Sequence, residues 1–235
     1  MANFNTHIST AAVVSGLLST LCLQVGFVNS DNAMVLILIG TIGGILPDID
    51  LHYSYPSRII FSVLGIIAAL FWVVSEENSR SVVELWLVGL AIYLFIRYGL
   101  WRIFNIYTKH RGAIHSIAAA ALSGLATTAI SYQIFEKSDF LSWLMGFFMF
   151  SGFILHLLLD ELYSVDFMNR RIKRSFGTAL KVVDSKQPYG SGFIIALSLA
   201  IWFATPSAVI FVDTLLSGET YSLIWHRMLP ENLPF

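Results

Sequence analysis

The chain has 235 residues, of which 56% are hydrophobic and 12% charged, with a mean hydropathy of +0.72. That balance is too apolar and too poor in charge for a soluble domain of this length, so the chain reads as an integral membrane protein. A formal net charge of -1 leaves no global basic field and argues against a nucleic-acid partner, and the single cysteine, Cys22, excludes an intramolecular disulfide and a thiolate cluster.

A membrane-spanning helix needs roughly 17 to 25 predominantly apolar residues. Seven segments approach that requirement, near 8–28, 33–47, 58–75, 82–104, 113–135, 140–163 and 192–216. The expected fold is therefore all-α, a polytopic transmembrane helical bundle with about seven hydrophobic helices, in a single integral membrane domain over 1–235. No repeat, low-complexity tract or long linker interrupts it. The opening residues, MANFNTH, carry no Lys or Arg, so the first segment lacks the basic flank of a secretory signal and reads as a retained helix. The second segment is short, contains Gly40, Gly43 and Gly44, and ends at Pro47, which suits a re-entrant helix or one buried among its neighbours.

If all seven segments cross, one side receives the N-terminus and the loops after the second, fourth and sixth helices. Arg58, Arg97, Arg102, Lys109, Arg111, Arg170, Arg171, Lys173, Arg174, Lys181 and Lys186 fall on that side, against Arg80, Lys137 and Arg227 on the other. The positive-inside rule makes the first side cytoplasmic. The basic segment 170–181 reads equally as a topology-setting loop on anionic lipid and as a substrate contact.

The same side collects four short clusters of metal-ligand residue types: His7, then Asp48 and Asp50, then His110 and His115, then His156 and Asp160. His156 and Asp160 are four apart, so on a helix they stack on one face and suit a shared ion. The same pair also reads as a hydrogen-bonded tie between helices. Asp48 and Asp50 follow Pro47 at a helix C-terminus, where carboxylates oppose the dipole and are not favoured for stability. They suit hard and borderline cations. His110 and His115 would diverge on a continuous helix, but Gly112 allows a turn that brings both rings to one pocket, with His115 in the first helical turn. Arg111 between them offers a planar fork for a phosphate or carboxylate, and the segment also reads as a basic juxtamembrane loop. His7 gains weight as a ligand only from the other clusters. His52 reads as a supporting or substrate-facing group, and His226 as unrelated to the site.

In order along residues 7 to 160, the N-terminal His7, the Pro47-Asp48-Ile49-Asp50 turn, the run from His110 through Arg111 and Gly112 to His115 and Ser116, and the His156/Asp160 pair resemble the YdjM-like family of predicted membrane-bound metal-dependent hydrolases. Leu51 stands where the family often has a histidine directly after the second Asp, and Ile114 where Thr is common. The pattern is also similar to zinc-dependent phospholipase C in its His/Asp usage, which implies an all-helical site and a phosphoester substrate by analogy.

These readings converge on a bacterial inner-membrane protein with a site of one or two divalent metals, zinc being the expected ion, open to the cytoplasmic leaflet. The expected metal ligands are His7, Asp48, Asp50, His110, His115, His156 and Asp160. Arg111 is the expected catalytic residue, steadying the phosphate of a lipid or lipid-linked substrate while metal-activated water hydrolyses it. The alternative from the same residues is an ion- or proton-coupled transporter.

Overall fold

A computed structural model describes residues 3–50, 55–76, 80–107, 112–166, 171–172 and 180–228. The element order is α1 (Phe4–Gln24), α2 (Ser30–Gly43), a 3-10 turn (Leu46–Asp50), α3 (Tyr55–Ser75), α4 (Val82–Leu94), a π segment (Phe95–Leu100), α5 (Trp101–Tyr107), α6 (Ile117–Gln133), α7 (Asp139–Leu162), β1 (Val165–Asp166), β2 (Arg171–Ile172), α8 (Pro188–Trp202), α9 (Val209–Leu216) and α10 (Gly218–Met228). Apart from the two-residue antiparallel pair of β1 with β2, the regular structure among the described residues is helical, and the fold is all-α. Among the described residues, four helices are long and apolar enough to cross a membrane: Phe4–Gln24, Ser57–Ser75, Val82–Phe104 and Asp139–Leu162. Ser30–Gly43 and Pro188–Trp202 are apolar but shorter.

The chain forms two compact units, one of Met1–Pro47 with His115–Phe235 and one of Asp48–Ile114. In the first, α7 is central and packs against α1, α2, α6 and α9. Lipid tails are as apolar as leucine, so close backbone approach rather than hydrophobic burial drives such packing, and small residues mark the contacts. A Cβ placed on Gly152 of α7 would collide with the carbonyl of Gly40 on α2. One on Gly146 would collide with Thr128 of α6, and one on Gly44, just past α2, with Ala11 of α1. Ser19 of α1 donates to the carbonyl of Ala33 on α2 at 2.7 Å, satisfying a buried hydroxyl. As the sequence suggested, α2 is packed among neighbours, with Ala33, Leu36, Gly40 and Gly43 buried.

Two regions differ in helix content from the sequence expectation. The segment expected as one helix over 192–216 is two, α8 and α9, because Pro206 lacks an N–H and disfavours helix at the residue before it. The break is held by the indole of Trp143 donating to the carbonyl of Pro206 at 3.1 Å and by Gln133 donating to that of Ala204 at 3.0 Å. Gly218–Met228, outside the seven expected segments, form α10, with Glu219 in its first turn and His226 and Arg227 in its last, the charge order that complements a helix dipole.

In the second unit α3 packs against α4 and the π segment. The start of α4 is set by a capping box, Ser81 accepting from the N–H of Glu84 while Glu84 accepts from that of Ser81. Trp101 donates from its indole to Ser57 at 2.8 Å and ties α5 to α3.

The small-residue packing makes a test. Gly152→Ala should destabilise the protein by about 1 to 3 kcal/mol through overpacking, read as a lower Tm in detergent. Gly16→Ala on α1, where an added Cβ meets nothing within 4 Å, should leave Tm unchanged or raise it.

Candidate metal centre

The centre lies where four helix ends of the first unit meet. Asn3 caps α1, its side chain accepting from the N–H of Thr6 at 2.8 Å, and this places His7 in the opening turns. At the other end of the antiparallel neighbour, α2 stops at Gly43, and Gly44 is its cap residue. The last carbonyls of a helix have no intrahelical donor. The carbonyl of Gly44 is taken instead by the imidazole of His156, 2.8 Å from Nδ1. A carbonyl only accepts, so Nδ1 carries the proton and the neutral ring presents Nε2 as a lone pair. A ligand histidine is characteristically oriented in this way.

One turn further along α7, Asp160 shares the face of His156. His7 stacks on His156, with ring centroids 3.7 Å apart and planes 14° from parallel. Its Nε2 is 3.3 Å from Oδ1 of Asp160. That is within ion-pair reach but without hydrogen-bond geometry, and among the described residues neither ring nitrogen of His7 has a hydrogen-bond partner. One ligand atom from each of His7, His156 and Asp160 lies within 4.8 Å of the others. All three side chains are at most 1% exposed.

His115 is also fully buried, and its ring meets that of His156 edge-on at 5.7 Å between centroids. It was expected within the first helical turn; instead it precedes α6, because Ser116 is the cap residue, its hydroxyl accepting from the N–H of Ala119 at 3.2 Å. The next two N–H groups, of Ile117 and Ala118, donate to the carbonyls of Lys181 and Val182 at 2.9 and 3.0 Å. The turn before α8 thus seals the α6 terminus beside His115. Of the remaining expected residues, Asp48 is 4% exposed in the 3-10 turn one residue beyond Pro47, and Asp50 closes that turn. His110 and Arg111 lie outside the described residues, as does His52.

The donor set is imidazole nitrogen and carboxylate oxygen with no thiolate. It suits a borderline divalent ion such as zinc rather than an all-oxygen calcium or magnesium cage. The His7 nitrogens supply a second indication of fit. A sealed polar atom without a hydrogen bond costs free energy, and a cation between His7, His156 and Asp160 would take up one nitrogen of His7 together with one ligand atom from each of the other two.

Residues 1–169 match the family model described as YdjM inner membrane protein. The chain belongs to that family. No curated protein and no solved structure gives a significant match. The family region contains the whole buried His/Asp cluster and ends shortly after α7, so α8, α9 and α10 lie beyond it. With its apolar helices, membership makes this a multi-pass inner membrane protein.

Sequence reasoning missed two supports. Gly44 was read only as one of the glycines of a short, re-entrant or buried segment, whereas its carbonyl orients His156; the signal was a glycine pair at a helix end opposite a histidine-bearing helix. The Lys181 to Lys186 turn was also missed, although Asp184 carries it. Its carboxylate meets Lys181 at 3.0 Å and accepts from the N–H of Lys186 at 3.0 Å. Burial by itself raises the pKa of Asp184, but these bonds and the two lysine charges outweigh it and hold the carboxyl below its ordinary value.

A group depressed in the folded state contributes stability that is complete above its unfolded pKa, about 4 for Asp, and is lost as pH falls through the folded value. Asp184→Asn should therefore lower Tm at pH 7, and the gap to wild type should narrow as pH falls below about 4. A gap independent of pH would contradict this account of the turn.

Proposed function

We propose that the protein is a membrane-bound, metal-dependent hydrolase whose site lies at the cytoplasmic face and acts on a phosphoester of a lipid or lipid-linked substrate. The observation that carries this reading is the buried convergence of His7, His156 and Asp160 with the His156 tautomer set by Gly44. A tie between helices needs only one hydrogen-bonded pair. Three ligand groups with one ligand atom each within 4.8 Å of the others, and no hydrogen bond to His7 among the described residues, favour an ion.

Nε2 of His156, a ring nitrogen of His7 and a carboxylate oxygen of Asp160 would hold the ion, which we take to be zinc, one or two per chain. Asp160 brings the negative charge that offsets a divalent cation in an apolar surround. His115, edge-on to His156, adds a further imidazole. Asp48, Asp50 and His110 complete the proposed ligand set, and Arg111 is proposed to steady the phosphate through its planar fork. A divalent ion at such a site supplies Lewis acidity, polarising a phosphoryl oxygen and lowering the pKa of water toward neutrality. The phosphoester assignment follows the similarity in His/Asp usage to zinc-dependent phospholipase C and is an analogy of site. The lipid assignment follows from position: His7 lies at the start of α1 and His156 and Asp160 near the end of α7, both spanning length, so the site sits at headgroup depth.

Elemental analysis of the purified protein should find about one or two equivalents of divalent metal per chain. His156→Ala with Asp160→Ala should abolish it, and His7→Phe, which keeps a ring to stack on His156, should retain the fold by Tm yet lose most of the metal. Full metal content in all these variants would overturn the proposal. Hydrolysis of a phospholipid panel should be stopped by a chelator and restored by zinc; ion-coupled flux in liposomes without turnover would replace the enzyme reading by transport. For orientation, a cysteine placed at Ser185 in a Cys22→Ser background should resist an impermeant thiol reagent in spheroplasts and react after lysis, while one at Ser138 should react in both. The reverse pattern would turn the site outward.

A further inference from the structure

The second unit carries a feature that the metal centre does not use. Arg58, at the start of the apolar span Ser57–Ser75, and Arg97, in the π segment within the span Val82–Phe104, both direct their guanidinium groups at the indole of Trp101. Their Cζ atoms lie 5.8 and 5.7 Å from its ring. The indole is held by its bond to Ser57, which is fully buried. Between the two arginines is a cleft of about 320 Å³, lined by Arg58, Ile59, Ser62, Val63 and Arg97. Its lining holds two cations and no carboxylate, and among the described residues neither arginine forms a salt bridge.

Arg80 makes the contrast. It also lies over an indole, 5.7 Å from Trp72, but it meets the carboxylate of Glu76 at 3.5 Å. Arg97 is seven residues inside the end of its span, about 10 Å at 1.5 Å per residue, where an ionisable side chain is costly unless it faces a partner or cavity. An arginine that merely anchors a helix extends freely into the headgroups. Two forks placed beside one hydrogen-bonded indole, with Arg97 also 5.0 Å from the ring of Tyr98, are instead preorganised, and the paired planar guanidinium groups match the oxygens of a phosphate. Single π turns inside helices frequently occur at functional positions.

We propose that this cleft binds the phosphate of an anionic phospholipid headgroup. At this depth the phosphate arrives on a lipid: besides Ser62, the cleft's other walls, Ile59 and Val63, are apolar and belong to the span, where an acyl chain would lie against them. The site shares no residue with the His/Asp cluster and stands whether or not that cluster holds a metal.

Native mass spectrometry of the full chain in mild detergent, with dioleoyl phosphatidylglycerol or dioleoyl phosphatidylcholine added, tests it. Wild type should retain one phosphatidylglycerol in preference to phosphatidylcholine. Arg58→Gln with Arg97→Gln should reduce that occupancy about tenfold or more, Arg58→Lys with Arg97→Lys should reduce it less, and Arg80→Gln should leave it unchanged. Equal retention of both lipids by wild type, or undiminished phosphatidylglycerol in the Gln pair, would overturn the proposal. Should the Gln pair not fold, the Lys pair decides: occupancy equal to wild type would refute recognition by the guanidinium forks. In lipid-free micelles inorganic phosphate should bind only weakly. Tight binding that depends on the same arginines would reassign the cleft to free phosphate and remove the lipid.

Discussion

The hydrogen bond from His156 to the carbonyl of Gly44 joins the two facts on which the first unit depends. The carbonyl is available because α2 ends there, and the ring reaches it because α7 lies almost backbone to backbone against α2. That approach in turn requires hydrogen in place of a side chain at Gly43 and Gly152. Helix termination, close packing and histidine tautomer are thus one constraint. Loosening any of them would release the orientation of the ring around which His7, His115 and Asp160 gather.

Placing that many polar groups inside an apolar protein is energetically costly. A charged residue at mid-membrane costs about 2.5 to 3.5 kcal/mol on insertion scales, and even at a helix end a sealed, unsatisfied imidazole nitrogen costs free energy. Gly44 and the caps at Asn3 and Ser116 satisfy part of the demand, and the turn around Asp184 closes the end of α6. The nitrogens of His7 are not satisfied in this way. Stability alone would be served better by an apolar side chain there, so the position is better explained by chemistry than by packing.

The second unit applies a different solution to the same problem of charge near hydrocarbon. Its arginines are spread over one indole rather than buried with carboxylates, and the indole is itself fixed by a buried serine. The His/Asp cluster presents lone pairs suited to a cation, whereas the arginine cleft presents N–H groups suited to an anion. The inner membrane protein therefore carries two unlike polar devices, each described within its own unit.

Apolar runs of roughly spanning length sufficed to establish the helical membrane class from the chain alone, and the His156/Asp160 spacing implied a shared face because helical periodicity is local. Pro206 could have announced the break in the last long segment, since its effect on backbone is equally local. Nothing local revealed that Gly44 would meet His156, that His7 would stack on the same ring, or that a turn before α8 would cap α6. Nor did uniform apolarity mark the division at Asp48 and Ile114, because lipid-facing and helix-facing residues have the same character. Residue type and spacing thus determined which groups were available; the meeting of groups more than a hundred residues apart was decided only by how closely glycine-lined helices pack, a property of pairs of surfaces that no single segment contains.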